Sequence, residues 1–207
     1  MGKIIFILLF VCRLSVYAVP SVVCIIRHAE KQKETEVLQD GKERVVYRPD
    51  GKPVYTQNLS LKGWERAYAL APYFAKKNES MPYGKPIALF APSIGEKDPS
   101  LRPLQTLTPL SNLLHIDVQQ LFAPEQYAQL VQEITTTTEY DGKFVLIAYE
   151  HEHIPALAQA FGVTSAPTVW KGDIFDRVWV IHFDQKTKGI VRFENRPQQL
   201  MYGDSQK

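Results

Sequence analysis

The chain is expected to fold as an α/β protein, a three-layer α/β/α sandwich around a mostly parallel central sheet with an antiparallel edge. Three observations predict it. Short apolar runs at residues 22–26, 86–91 and 144–148 are rich in β-branched and aliphatic residues, and continuous runs of this kind read as strands buried on both faces of a parallel sheet. Stretches with helical spacing lie between these runs, the alternation expected of a sheet covered by helices. Two strand-like segments at the end, 177–183 and 189–194, read as a closing hairpin at the antiparallel edge.

The chain has 207 residues, 45% of them hydrophobic and 22% charged, an ordinary globular composition for one domain with a substantial core. Its first eighteen residues are expected to be a signal peptide, with residues 19–207 forming the single domain. Lys3, an apolar stretch over 4–12 and the small-residue pattern Val16-Tyr17-Ala18 fit such a segment, and the stretch is too short to span a bilayer as a helix. Arg13 interrupts it, so an uncleaved, partly buried first strand or a membrane tether is the alternative. Cleavage after Ala18 would predict an exported protein, periplasmic or secreted, without stable membrane insertion.

The cut would remove Lys3 and Arg13 from 24 basic residues and leave 22 against 22 acidic ones. No basic run or aromatic-basic stripe marks a nucleic-acid surface, so any anion recognition must be local. Cys12 would leave with the signal, and Cys24, within a strand, is expected to be a buried thiol with no disulfide partner.

The first strand ends at Arg27-His28-Ala29-Glu30. Residues 31–57 are polar, with Pro49, Asp50-Gly51 and Pro53 as turn signals, and are expected to form a long loop beside the strand end. Ser60 can cap a helix in which Leu61, Trp64, Tyr68 and Ala71 recur at helical spacing, bent or shortened by Pro72. The run 86–91 predicts a strand and opens a polar loop, after which a helix is expected to start near Leu101-Arg102. Residues 124–134 read as an amphipathic helix fading into the threonines that follow. The strand 144–148 runs into Tyr149-Glu150-His151-Glu152-His153, and a short helix over 154–161 is stopped by Gly162.

Ligands of open α/β sheets bind outside the carboxyl ends of the strands. His28 and His151, each just past such an end, are therefore expected to share one pocket although more than a hundred residues separate them. Arg102 at a helix start adds a guanidinium where backbone amides also favour phosphate. His153 reads as a helix-start or rim residue, and His115 and His182, in apolar strand-like surroundings, as structural. Arg66 is expected on a helix face, paired with solvent or an acid, and Trp64, Trp170 and Trp179 in packing.

These residues resemble the histidine phosphatase superfamily, with its phosphoglycerate-mutase-like fold. Arg27-His28-Ala29 is similar to its leading Arg-His-Gly. Leu59-Ser60-Leu61-Lys62-Gly63 followed by Arg66-Ala67 is similar to its next landmark. Ala91-Pro92-Ser93, an inserted loop and Arg102-Pro103-Leu104-Gln105-Thr106 resemble the segment carrying its second arginine, and Glu150-His151-Glu152 stands where Ser-His-Gly is usual. The landmarks span residues 22 to 162 in the family's order.

The resemblance implies a phosphatase acting on a phosphate monoester or related phosphoryl compound, with no cofactor and no metal. His28 would attack phosphorus and carry a phosphohistidine later hydrolysed by water. Arg27, Arg102 and His151 would neutralise the phosphoryl oxygens. Glu30 and Glu150 are candidates for protonating the leaving group, whereas Glu125 falls within a helix start. The expected partner is a small phosphorylated substrate, chosen by the loops at 31–57 and 93–100. A non-catalytic relative that binds phosphate or protein, and a metal-dependent hydrolase using His151, His153 and a carboxylate, are the alternatives. Loss of the His28 side chain is expected to spare the fold, as a polar strand-end residue contributes little packing.

Overall fold

The computed structural model of the chain describes residues 18–95 and 99–206; the expected signal segment, apart from Ala18, lies outside them. Ala18 and Val19 are themselves buried, and the Ala18 amide donates to the Thr135 carbonyl at 3.2 Å.

Four parallel strands form one side of the central sheet: β1 (Val22–Arg27), β6 (Ala88–Phe90), β7 (Val118–Gln119) and β8 (Phe144–Tyr149). The antiparallel strands β9 (Arg177–Phe183) and β10 (Ile190–Pro197) complete it in the order β10-β9-β1-β8-β6-β7. β8 pairs in parallel with both β1 and β6, and β9 runs antiparallel to β1. The apolar runs at 22–26 and 144–148 thus form adjacent central strands, buried along their whole length.

Alternation along these strands divides the core in two, because successive side chains point to opposite faces. Val23, Ile25, Val145 and Ile147 pack with Leu130 and Ile134 of α3 (Tyr127–Thr136) and Leu157 of α4 (Ile154–Ala160). Cys24, Ile26, Leu146 and Ala148 face Leu70 and Phe74 of α1 (Leu61–Ala75) and Leu107 and Leu110 of α2 (Arg102–Leu114). The expected three layers are present. Cys24 is fully buried, and desolvation pushes its thiol well above the usual range.

Ser60 caps α1 as expected, its Oγ accepting from the Gly63 amide at 3.1 Å. Pro72 lies inside the helix, which runs on to Ala75. The helix expected over 124–134 begins only at Tyr127; Pro124 and Glu125 belong to the turn before it. His115 is the left-handed C-cap of α2 (φ 55°), not part of a strand. His182 does lie in a strand, its Nε2 2.7 Å from Glu194.

The largest difference from expectation is the segment 31–57. It is an antiparallel arm, with β2 (Lys31–Lys33) paired to β5 (Tyr55–Leu59) and β3 (Thr35–Val37) paired to β4 (Glu43–Val45). Asp40-Gly41 and Asp50-Gly51 turn it, both glycines at positive φ (80° and 78°) where a side chain would be strained. β2, β3 and β4 are short and mostly exposed, β5 is partly buried, and none shows apolar alternation, so periodicity carried no signal for them.

Candidate active site

Parallel pairing puts the carboxyl ends of β1, β6, β7 and β8 on one edge of the sheet. Antiparallel β9 begins at that edge, since Val178 faces Ile26 and His182 faces Val22. The loop leading into β9 therefore meets the residues leaving β1.

Arg27 ends β1 with no solvent exposure. Its Nη1 donates to the carbonyls of Gly172 at 2.8 Å, Ile174 at 2.9 Å and Lys171 at 3.4 Å. The Phe175 ring lies against the guanidinium, 3.9 Å from Cζ to the ring centroid, a cation–π contact. Nε and Nη2 are buried and have no hydrogen-bond partner. Buried N–H groups are rarely left so, and on a guanidinium they form the planar fork that matches a carboxylate or phosphoryl group. Desolvation first, and then the charge of Arg102, lower the Arg27 pKa to about 10.

His28 follows, 2% exposed. Its amide donates to the Tyr149 carbonyl at 3.0 Å, continuing the β1–β8 ladder past the strand end. Nδ1 lies 2.7 Å from the Ala29 carbonyl. A carbonyl only accepts, so this contact assigns the ring proton to Nδ1 and leaves the Nε2 lone pair unprotonated. Burial lowers the His28 pKa well below 6.5, the Ala29 bond opposes it, and Arg102, Arg27 and Lys31 add to the lowering. The expectation that this side chain contributes little packing is corrected by its burial, a consequence of the loops that close over the strand end.

Arg102 opens α2, its Nε 3.1 Å from Ser100 Oγ and its Nη1 3.3 Å from the Thr56 carbonyl. Thr106, one turn on, donates its hydroxyl to the Arg102 carbonyl at 2.8 Å and accepts the Ala29 amide at 2.9 Å. This ties the start of α2 directly to the His28 turn. Gln105 accepts the Leu59 amide at 2.8 Å and donates to Asn58 at 2.8 Å, fixing the arm to the same helix.

His151 stands two residues beyond β8, its side chain 20% exposed. It touches the same β9 loop: a Cβ on Gly172 would lie 3.3 Å from His151 Nε2. Burial, followed by the charge of Arg27, lowers its pKa to about 4, against an opposing Glu152. The two histidines leave adjacent strands at one edge, and both feel the charges of Arg27, Lys31 and Arg102.

Glu30 has a different environment from that expected of a proton donor. It receives Arg66 Nε at 3.0 and 3.1 Å and Arg66 Nη2 at 2.9 Å. Arg66 is 2% exposed and also bonds Asp204 and Gln198 at 2.8–3.1 Å. Burial opposes its charge, and the bonds to Asp204 and Glu30 outweigh that and raise its pKa. The expected partner acid is there, and solvent is not. Glu150 is buried at the end of β8, its carbonyl accepting the amides that start α4. Glu125 is exposed in the turn before α3; its charge and that of Glu150 add to burial in raising the Tyr149 pKa. His153 occupies the N-cap position of α4, without a side-chain capping bond.

Three parts of the site were given no role by the sequence alone. Lys31 is half-buried with Nζ 4.6 Å from the Tyr55 ring centroid, its pKa lowered by burial and then by Arg27 and Arg102. The carbonyls at 171–174 hold Arg27, and Thr106 bridges Arg102 to the His28 turn. Lys31, three residues past His28, was visible as a cation; the carbonyls carry no side-chain signal. No cluster of three or more metal-ligating side chains occurs among the described residues. None of their helices is long and apolar enough to cross a membrane.

No family model and no curated protein sequence matches the chain. Among solved structures it is similar to a protein of Agrobacterium tumefaciens assigned as the phosphohistidine phosphatase SixA, at 16% identity over 84% of this chain and 98% of that one, with a TM-score of 0.48. A mycobacterial glucosyl-3-phosphoglycerate phosphatase is similar at 13% identity over 86% and 97% of the two chains, with a TM-score of 0.49. A protein of Escherichia coli assigned as an α-ribazole-5′-phosphate phosphatase is similar at 15% identity over 84% and 96%, with a TM-score of 0.44.

Proposed function

We propose that the chain is a metal-independent phosphatase of the histidine phosphatase superfamily, hydrolysing a small phosphate monoester or related phosphoryl compound. One observation carries this reading: a buried histidine whose Nδ1 is committed to the Ala29 carbonyl stands next to an arginine with two buried, unpartnered nitrogens. The first supplies a nucleophilic nitrogen, and the second supplies donors for an anion.

In the proposed reaction His28 Nε2 attacks phosphorus while the bond to the leaving oxygen breaks, and that oxygen takes a proton. Water then attacks the phosphohistidine, the P–N bond breaks, and inorganic phosphate leaves. Arg27 Nε and Nη2, Arg102 and Lys31 offset the charge of the phosphoryl oxygens. His151, neutral in the free protein, gains a reason to protonate when a dianion arrives. Glu30, engaged by Arg66, is a positioning residue; Glu150, buried at the β8 end, is the carboxyl assigned to the leaving group. Export through residues 1–18 belongs to the same proposal, supported by their sequence pattern, and the N-terminal residue of protein recovered from envelope or medium tests it.

Phosphate release from an activated aryl phosphate, with and without chelator, tests the function. Since His28 is buried, His28→Asn, which keeps polar volume, is the companion to His28→Ala. Chelator-resistant release lost in both variants is the expected result. Release surviving in either variant contradicts the role of His28, release abolished by chelator favours the metal alternative, and no release at all favours a binding protein.

A further inference from the structure

Beside the phosphate cradle lies a cavity of about 370 Å³, bordered by His151, Pro155, Thr168, Val169, Trp170 and Gly172. Its size is at the lower end for small-ligand sites, about 300–1,000 Å³. Resting on the phosphatase reading, we propose that this cavity receives the organic part of the substrate, and that this part carries a compact apolar group, aromatic or branched, rather than a polyol.

The geometry that joins cavity to cradle is specific. The Ile174 carbonyl accepts both Trp170 Nε1 and Arg27 Nη1, each at 2.9 Å. One oxygen thus braces a cavity wall and the anion-binding guanidinium together. The Gly172 carbonyl holds Arg27 at 2.8 Å, while the missing Cβ of Gly172 leaves room against His151 Nε2. A phosphoryl group on Arg27 would therefore have the cavity on its His151 side.

The lining gives the chemistry. Pro155 and Trp170 are buried, and Val169 is 70% exposed, an apolar side chain left facing solvent among the described residues. Thr168 offers a single hydroxyl. Glu152, 73% exposed, and Lys171 also border the cavity, and the Glu152 carboxylate lies 3.9 Å from His151 Nε2. A polyol needs several converging donors and acceptors to replace its water; these walls provide few, and they reward apolar contact.

The test uses calorimetric binding of two probes that cannot be hydrolysed, methylphosphonate and 2-naphthylmethylphosphonate, to the protein and to Val169→Asn. That position is exposed and lies outside the phosphate cradle of Arg27, His28 and Arg102, so the variant retains the fold and the cradle. The naphthyl probe is expected to bind at least about tenfold tighter, the factor that about 1.4 kcal/mol of apolar burial gives. The advantage should shrink in Val169→Asn while methylphosphonate affinity is unchanged. Equal affinities in the native chain, or an advantage untouched by Val169→Asn, would overturn the assignment. A naphthyl preference sensitive to Val169 but accompanied by no His28-dependent hydrolysis of 2-naphthyl phosphate would keep the pocket and remove the phosphatase reading.

Discussion

At the scale of single residues, the site is defined by what its side chains are denied. His28 is denied water, and Arg27 is denied partners for two of its nitrogens. Both conditions favour an incoming anion, because desolvation strengthens every charge interaction there. The pH behaviour follows. Burial and neighbouring cations hold the His28 pKa well below 6.5 and the His151 pKa at about 4, so both rings are neutral in the free protein near neutrality. Protonation of His28 would occupy the attacking lone pair, and a lowered pKa moves that loss to more acid conditions. The acid limb of kcat/KM is expected below pH 6.5, and the His151 ring resonances in NMR should titrate near pH 4 and shift upward when inorganic phosphate is added. A limb centred at or above 6.5, or a His151 midpoint indifferent to phosphate, would contradict this electrostatic account. His28 and His151 were legible because each lies just past an apolar run. The state of Glu30 was not, since nothing in Arg27-His28-Ala29-Glu30 reveals that Arg66, a helix and thirty-six residues away, engages its carboxylate.

At the scale of elements, α1 acts as the clamp of the nucleophile turn. Ser60 at its N-cap donates both its amide and its hydroxyl to the Glu30 carbonyl, at 2.9 and 3.3 Å. Arg66, further along the same helix, holds the Glu30 side chain and ties it through Asp204 to the C-terminal segment. Gly63 lets the helix approach so closely: a Cβ there would collide with the Glu30 carbonyl oxygen. Gly63→Ala is therefore expected to push the turn away, disturb the Nδ1 bond of His28, and cut kcat by about tenfold or more, as misplacement of a reacting group does. In Gly→Ala exchanges at open helix positions the gain in helix propensity stabilises by about 1 kcal/mol; a more stable, fully active Gly63→Ala would sink the clamp. The capping serine and the glycine were legible as a motif. The arm was not, because its short exposed strands lack the apolar alternation that marks a strand.

At the scale of the whole molecule, topology assembles the site from distant segments. Parallel β1, β6 and β8, which apolar runs alone were enough to predict, and the two-residue β7, which no such run announced, send their following loops to one edge. The reversal of β9 brings the carbonyls of Lys171, Gly172 and Ile174 to Arg27, 144 to 147 residues away in sequence. No local pattern announces that meeting, because main-chain carbonyls are common to every residue. The same burial couples the site to stability. His28 and His151 have folded pKa values below the unfolded value of 6.5, so the unfolded chain binds more protons between about pH 4 and 6.5 and stability rises with pH across that window. It is fully present above 6.5 and lost as pH falls. His182, lowered mainly by its own burial, adds in the same direction. Tm measured from pH 7 to 4 should fall, and the double variant His28→Asn/His151→Asn should fall less steeply; an identical slope would show that the buried rings are not the groups taking up protons.

The central claim is that phosphorus passes through His28, and rapid quenching of the protein during turnover of an aryl phosphate, under alkaline conditions that spare a phosphohistidine, tests it most directly. Mass spectrometry of the digest is expected to find one phosphoryl group on the peptide containing His28 and none in His28→Asn. A phosphoryl group on any other residue, or steady hydrolysis with none on His28 at any quench time, would contradict the account.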